Sequence, residues 1–230
     1  MKFYFFFLLT GLFSNQLFGQ NPSETFHLKA GDLLFQDLDC GPFCEAVEKV
    51  TFGVDGAKFS HIGLVVPDDS TGQLVVLEAV SAGVIETRLD SFLLRSLDGD
   101  GHPKVLVGRL RPEKAHLNKA AIAEAKKLRG KPYDDIFDID NDAYYCSEMI
   151  YWSYKKANAG QPVFQLQPMT YIDPETGKTF EIWTDYFKNL NHPVPEGQPG
   201  LNPGGMSRSP YIQIVHAFGQ PAGWRPNRRP

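Results

Sequence analysis

Short apolar runs bounded by turn residues recur along the chain and predict six β-strands. Runs of about four to eight residues flanked by Gly, Pro or Asp are more typical of strands than of helices. The strands are expected within residues 30–38, 59–69, 73–89 (two strands that meet at Gly83), 102–112 and 209–219.

A second pattern, in which apolar residues lie three and four positions apart, predicts three helices. One is expected within 41–53, with Pro42 in its first turn, and one within 117–130, ended by Gly130. The third begins at or near Cys146, which shares a face with the buried stripe of that helix. Strands run together and helices are segregated from them, and this order favours an α+β fold.

The composition changes after Gly160. Residues 161–210 are rich in Pro and Gly and contain one further element, a strand or a helix, around "KTFEIWTDYFKNL". No repeat and no linker divides the chain. We therefore expect a single domain over residues 21–230 that carries the Pro/Gly-rich region as an extension.

Composition and charge narrow the classes of partner. Hydrophobic residues make up 42% of the chain, enough for a sizeable core, and the formal net charge is −4. No basic run is long enough to follow a phosphate backbone, so no nucleic-acid partner is expected. The sequence predicts no oligomeric state.

The first residues have the pattern of a secretory signal peptide. Lys2 precedes an apolar run from Phe3 to Phe13, and polar residues and a small Gly19 follow. The run is too short for a membrane span, so the mature chain should contain no transmembrane segment. We expect residues 1–20 to be removed and the protein to be exported, as a periplasmic or secreted protein.

The chain contains three cysteines, Cys40, Cys44 and Cys146. Cys40 and Cys44 form "CGPFC" at a helix start and are either a structural disulfide or two buried thiols. Redox catalysis by this pair is less favoured, because three residues separate the cysteines and no βαβ unit surrounds them. Cys146 is left over, and it packs in the core, pairs with another chain or is a reactive thiol.

A reactive thiol needs a cation or base beside it, and that partner needs a group to orient it. His61 stands at the head of the apolar strand "HIGLVV", and Glu78 lies among apolar residues of the next predicted strand. The short turn between these strands places position 61 near position 78. Cys146 at a helix start can face this pair, and its backbone N–H can line an oxyanion hole. Glu86, further along, is expected to be exposed.

Four stretches, in chain order, carry a resemblance to a known family: "AGDLLFQ", "FSHIGLVV", "LEAV…GVIETRL" and "YYCSEMIYWSY". Together they resemble the circularly permuted, YiiX/YebB-like branch of the NlpC/P60 superfamily of papain-fold cysteine hydrolases. The resemblance implies a small antiparallel sheet or partial barrel packed by helices. It also implies that Cys146 is the nucleophile, His61 the base and Glu78 the third member of a triad.

The resulting hypothesis is an exported hydrolase that cleaves an amide or peptide bond, in a cell-wall peptide or a lipid-like acyl amide, through an acyl-enzyme. A non-catalytic module that binds peptide or lipid, an acyltransferase on the same fold and a thiol–disulfide enzyme remain alternatives. Gln36, Ser60, Tyr133 and Tyr145 are expected to contact substrate, although the tyrosines could equally pack the loop. No cofactor or metal is expected, because the acidic loop before Cys146 lacks the glycine and glutamate of an EF-hand.

Overall fold

A computed structural model describes residues 26–226 of the chain, so the predicted signal peptide lies outside the described residues. The elements, in chain order, are β1 (Leu33–Gln36), α1 (Pro42–Val50), a 3₁₀ turn (Val54–Gly56), β2 (His61–Pro67), β3 (Leu74–Val80), β4 (Gly83–Arg88), α2 (Leu89–Leu93), β5 (Val105–Leu110), α3 (Pro112–Ala115), α4 (Asn118–Lys126), α5 (Cys146–Ala157), β6 (Gln167–Pro168), α6 (Glu181–Asn189), β7 (Pro199–Gly200), α7 (Pro203–Ser207) and β8 (Ile212–Ala217).

Six strands form one antiparallel sheet in the order β4-β3-β2-β1-β5-β8. These are the six predicted strands, and the predicted helices correspond to α1, α4 and α5. The α+β prediction, an antiparallel sheet packed by helices, is confirmed. The short helices α2 and α3 were not predicted, because neither is long enough to show a helical period.

The sheet is covered on both faces, because the side chains of each strand alternate between them. On one face, Ile62 and Leu64 of β2 pack in a large core with residues of α4 and α5. On the other face, Val65 of β2 and Val76 of β3 pack around Phe92 of α2. His61 and Glu78 share the alternation of Val65 and Val76, so they belong to this second face.

The Pro/Gly-rich region contains more structure than the sequence indicated. The stretch around "KTFEIWTDYFKNL", predicted as a strand or a helix, is the helix α6. Its Trp183 and Phe187 are buried in a small aromatic cluster with Tyr171, and this cluster packs on Ala46 of α1. This part of the Pro/Gly-rich region therefore packs against α1.

A disulfide joins Cys40 to Cys44 and spans the start of α1. Of the two structures that the sequence left open for "CGPFC", the alternative of two buried thiols is therefore wrong. Within residues 26–226, no helix is both long and apolar enough to cross a membrane.

Candidate active site

Cys146 is the first residue of α5, a helix that is buried on nearly every side through its first two turns. Its thiol is free and its side chain is almost fully buried. The backbone N–H groups at a helix start have no partner within the helix and are the positive end of its dipole. Cys146 thus combines a free sulfur with donors suited to a developing negative charge.

His61 and Glu78 form a direct hydrogen bond of 2.6 Å between Nε2 and Oε2. The register of the hairpin pairs Leu64 with Leu77. Positions 61 and 78 are therefore diagonal neighbours on one face, close together as the sequence predicted. The bond forms because side chains on diagonal positions of a strand pair remain within reach.

Glu78 is fully buried, and besides His61 two residues donate hydrogen bonds to its carboxylate. Arg95 Nη1 donates to Oε2 at 2.7 Å, Arg95 Nη2 donates to Oε1, and the Thr87 hydroxyl also donates to Oε1. Burial alone would raise the pKa of Glu78, but the bonds from His61, Arg95 and Thr87 lower it to about 2. The carboxylate is therefore ionised and held in one orientation.

The sequence did not indicate Arg95 or Thr87. Thr87 could have been found, because β4 pairs Val76 with Thr87 and Glu78 with Ile85, so Thr87 is a diagonal neighbour of Glu78. Arg95 follows α2 in an irregular segment, where no periodicity indicates the direction of a side chain.

The imidazole of His61 interacts with groups on both sides. Burial would lower the pKa of His61, but the bonds to Cys146 and Glu78 outweigh burial and raise it to about 9. Since Nε2 is occupied by Glu78, Nδ1 is the ring nitrogen left for the sulfur of Cys146. Phe92 lies against the ring at a centroid distance of 5.8 Å.

Gly63 makes room for this arrangement two residues further along β2. A Cβ at position 63 would lie 2.3 Å from Cγ1 of Val76 and 3.1 Å from the ring of Phe92. The first approach is too close for real carbon atoms and the second is tight, so a side chain here would displace Val76 and press on Phe92, the neighbour of His61.

A cleft with a volume of about 130 Å³ lies in front of Cys146. Its lining is mostly apolar and aromatic, and it is shared between α1, the loop before α5 and the Pro/Gly-rich region. The aromatic members of the lining are Phe43, Tyr133, Phe137, Tyr145, Tyr171 and Trp183. A cavity of this size and character suits an apolar group about as large as a benzene ring.

Three of the four residues expected to contact substrate line the cleft, namely Ser60, Tyr133 and Tyr145. Burial, followed by the nearby Cys146, raises the pKa of Tyr133 well above its usual value, so its hydroxyl remains protonated. Gln36 is not brought to the cleft. Its side chain is fully buried, and its amide nitrogen donates a 2.8 Å hydrogen bond to the backbone carbonyl of Phe92.

The residues on both sides of Cys146 bind the same residue of the Pro/Gly-rich region. The hydroxyl of Tyr145 accepts a 3.1 Å hydrogen bond from the backbone N–H of Leu201. The hydroxyl of Ser147 donates a 3.2 Å hydrogen bond to the carbonyl of Leu201. The wall of the cleft is thus attached to the start of α5.

A second buried carboxyl lies behind Cys146. Glu148 is fully buried and, among residues 26–226, accepts two hydrogen bonds, from the Tyr145 backbone N–H at 3.2 Å and from Trp152 Nε1 at 3.3 Å. Burial raises the pKa of Glu148 to about 9, with a further contribution from Asp134. Glu148 therefore holds a proton at neutral pH. It accepts a hydrogen bond at the start of α5, whereas the imidazole of His61 is bound by Glu78.

Two other acidic positions bear on the sequence predictions. Glu86, predicted to be exposed, is half-buried and forms a 3.1 Å ion pair with Arg129.

Within the described part of the chain, Asp98, Asp100 and His102 are the side chains grouped closely enough to hold a metal ion, and none of them lines the cleft. The Asp98 carboxylate already accepts backbone hydrogen bonds from its own loop.

Residues 27–216 match the model of a protein family described as permuted papain-like amidase enzymes, YaeF/YiiX, C92. The chain belongs to this family. The family is one of papain-like amidases and cysteine peptidases, in agreement with the resemblance in the sequence.

Comparison with solved structures gives the same fold. A crystal structure described as metalloprotein yiiX from Escherichia coli O157:H7 superposes with a TM-score of 0.65 at 23% sequence identity. The match covers 84% of this chain and 98% of the other. A search of curated protein sequences finds no significant match.

Proposed function

We propose that the chain hydrolyses an amide bond with Cys146 as nucleophile, His61 as acid and base, and Glu78 as the group that orients His61. The observation that carries this proposal is the 2.6 Å hydrogen bond between the His61 imidazole and the Glu78 carboxylate beside a free Cys146 thiol at a helix start, where a cleft can receive substrate. His61 beside the sulfur can accept the thiol proton when the sulfur attacks, as a general base does for a cysteine nucleophile.

The reaction has two halves. The Cys146 sulfur attacks the amide carbon, and the backbone N–H at the start of α5 stabilises the negative oxygen of the tetrahedral intermediate. His61 then gives its proton to the leaving amine, and an acyl-enzyme remains. Water attacks this thioester while His61 takes a proton from the water, and a carboxylic acid and the free thiol result. An acceptor other than water would make the same site an acyltransferase.

The lining of the cleft supports a lipid-like or aryl acyl amide over a cell-wall peptide. Six aromatic rings contribute to a mostly apolar lining, and its polar members are uncharged hydroxyl, amide and thiol groups. Such a lining binds an apolar group by burying it, whereas a peptide with charged side chains would lose hydration without gaining partners.

The disulfide between Cys40 and Cys44 supports export to the periplasm or the medium, because disulfides persist in oxidising compartments. Recovery of the mature protein from the native envelope with an N-terminus near residue 20 is expected. An intact Met1 in that fraction would contradict the predicted cleavage.

The solved relative is described as a metalloprotein. Asp100 and His102 are exposed, and both oxygens of the mostly buried Asp98 accept hydrogen bonds from the backbone N–H groups of Asp100, His102 and Gln220. These residues do not fit a metal centre at the cleft, and no step of the proposed reaction passes through one.

The proposal is tested by trapping the acyl-enzyme with an activated ester, p-nitrophenyl octanoate. We expect a single octanoyl adduct, which peptide mass spectrometry assigns to Cys146, and iodoacetamide should block its formation. His61→Ala should slow adduct formation, and Cys146→Ala should abolish it. An adduct on lysines alone, or equal rates in wild type and His61→Ala, would favour a papain-like binding module without catalysis.

A further inference from the structure

A second cavity, with a volume of about 310 Å³, lies beside the cleft in front of Cys146. Two segments form it, residues 136–140 of the loop before α5 and residues between 192 and 199 of the Pro/Gly-rich region. Within residues 26–226, Phe137 is the one residue that lines both this second cavity and the cleft. Phe137 therefore marks the place where the two spaces approach each other.

The ring of Phe137 has aromatic contacts in both directions. Towards the cleft it meets Tyr145 at a centroid distance of 5.4 Å and Trp183 at 5.9 Å. It also meets Phe187 at 6.2 Å, and Phe187 in turn contacts the ring of His192, which lines the second cavity, at 6.1 Å. The ring thus packs within the group of side chains that fills the space from the cleft to the second cavity.

The backbone at Phe137 is in the left-handed region, with φ at +57°. This conformation is unfavourable for a residue with a bulky side chain, and it persists only where the surrounding contacts hold the residue in place. The packing of the ring therefore outweighs the strain of its own backbone. Phe137 has a fixed position at the end of the cleft.

The two spaces differ in what they can hold. The cleft, at about 130 Å³, suits a group of about the size of a benzene ring, and the second cavity, at about 310 Å³, is more than twice as large. Part of its lining is apolar, with Ile136, Ile139, Val194 and three prolines. An acyl chain that passed the position of the Phe137 ring would bury further methylene groups there, whereas behind an intact ring those groups stay in water.

We propose that Phe137 is a specificity-determining residue whose ring closes the end of the cleft and sets the longest acyl chain that the site buries. The substrate class is an amide of an aryl acid or of a short acyl chain, with about six to eight carbons in the buried group. The amide rests on the proposed function, whereas the position of Phe137 between the two cavities does not.

Binding is tested first, without turnover, in the full chain with Cys146→Ala. The probes are N-acyl glycines with acyl chains of six, eight, ten and twelve carbons, titrated by calorimetry below their micelle concentrations. With Phe137 in place, affinity should stop rising beyond the eight-carbon probe. With Phe137→Ala added, affinity should rise by about three- to fourfold for each methylene group that becomes buried, and so by at least about tenfold from eight to twelve carbons.

Phe43→Ala, in the same Cys146→Ala background, is the matched control. Phe43 is also an aromatic residue of the cleft and contacts Trp183 at 4.6 Å, but it does not line the second cavity. Its loss should enlarge the cleft without joining it to the second cavity, so affinity should still level off at about eight carbons. The proposal is overturned if Phe137→Ala keeps the plateau of the parent, or if Phe43→Ala removes the plateau equally well.

Phe137→Leu decides the question if Phe137→Ala does not fold, which a thermal melt shows. Leucine keeps most of the apolar volume but lacks the far edge of the ring, so the plateau should move from eight to ten carbons. A plateau that stays at eight carbons in Phe137→Leu would then overturn the proposal.

Turnover supplies a second test, with Cys146 intact. Phe137→Ala should raise the ratio of kcat/KM for the twelve-carbon amide to that for the eight-carbon amide by about tenfold. The ratio is the useful quantity, because loss of the contact with Tyr145 lowers both rates together. An unchanged ratio contradicts the proposal.

The two proposals fail in different ways. If no amide is cleaved but Phe137→Ala extends the chain length that binds, amide hydrolysis is wrong and the role of Phe137 stands. If wild type and Phe137→Ala cleave the amides with the same dependence on chain length, hydrolysis stands and the role of Phe137 is wrong.

Discussion

Glu78 and Glu148 are both fully buried carboxyl groups, yet their environments leave Glu78 ionised and Glu148 neutral at neutral pH. Glu78 has a guanidinium, an imidazole and a hydroxyl around it, and these hold its pKa near 2 against the effect of burial. Glu148 has only two neutral donors, at 3.2 and 3.3 Å, and burial raises its pKa to about 9. Burial sets the tendency and the partners decide the outcome.

The two groups also act on stability in opposite directions. The pKa of Glu78 is lowered, so its contribution is present above pH 4.5 and is lost as the pH falls towards 2. The pKa of Glu148 is raised, so the folded state loses stability as the pH rises from 4.5 towards 9. A change of Glu to Gln at the two positions therefore tests two different roles.

The largest effect is expected for Glu78→Gln. The amide keeps the shape of the side chain but removes the negative charge that balances the imidazolium, and activity should fall by about 10²- to 10⁴-fold. The measurement is kcat/KM on an acyl amide that Cys146→Ala does not cleave. Glu148→Gln is the matched control and should retain activity within a few-fold. Equal losses in the two variants would remove the distinction between them.

The next effect concerns Arg95, whose two hydrogen bonds help to keep Glu78 ionised. Arg95→Met should reduce activity by about 10- to 100-fold and lower the free energy of unfolding by about 2 kcal/mol, because a buried charge loses a partner while Arg95 itself is partly exposed. Chemical denaturation and kcat/KM measure the two effects. Arg88→Met is the control, since Arg88 is exposed and pairs with exposed Asp90. If Arg88→Met loses as much activity and stability as Arg95→Met, the loss in Arg95→Met does not come from its bonds to Glu78.

The pH profile should reflect the same pairing. Cys146 and Glu78 raise the pKa of His61 to about 9 despite burial, so kcat/KM should decline above about pH 9 as the imidazolium loses its proton. Removal of the countercharge lowers the pKa of His61, and the decline in Glu78→Gln should therefore move to lower pH. An unchanged upper limb in that variant would mean that Glu78 does not govern the imidazole.

The smallest effect is the stability of Glu148→Gln as a function of pH. At pH 5 the variant should be no more stable than wild type, because the amide offers one acceptor oxygen where the carboxyl has two. Towards pH 9 the unfolded wild type releases the Glu148 proton that the folded state keeps, so the free energy of unfolding of wild type falls. The glutamine of the variant has no such proton, and the Tm of the variant should therefore rise relative to that of wild type by about 3 to 6 °C. Thermal melts at the two pH values measure this change. A constant difference would contradict a raised pKa of Glu148.

Much of the fold and the approach of His61 to Glu78 could be predicted from the sequence, because both follow from local periods. A strand period of two and a short turn between two strands bring positions 61 and 78 onto one face. The helical spacing after Cys146 places the thiol at a helix start. These features need only the order of residues within one hairpin or one helix.

The rest depends on contacts between distant segments. Gln36 shows the limit, since alternation gives its face but not the Phe92 carbonyl that occupies its amide. Arg95 reaches Glu78 from an irregular segment, and Trp183 reaches the cleft through the packing of α6 on α1. No local period describes such contacts, because they arise only when the chain is folded.

The attachment of Leu201 on both sides of Cys146 has a consequence for how this protein can change over evolutionary time. Its N–H and carbonyl fix the end of the Pro/Gly-rich region to the helix start, so the wall has one anchor next to the sulfur. In the segment N-terminal to Leu201, the entropic cost of closing a loop grows only slowly with the length of the loop. Insertions and substitutions between residues 161 and 199 can therefore reshape what the cleft accepts while the nucleophile stays in position. Substrate selectivity can therefore evolve independently of the catalytic residues.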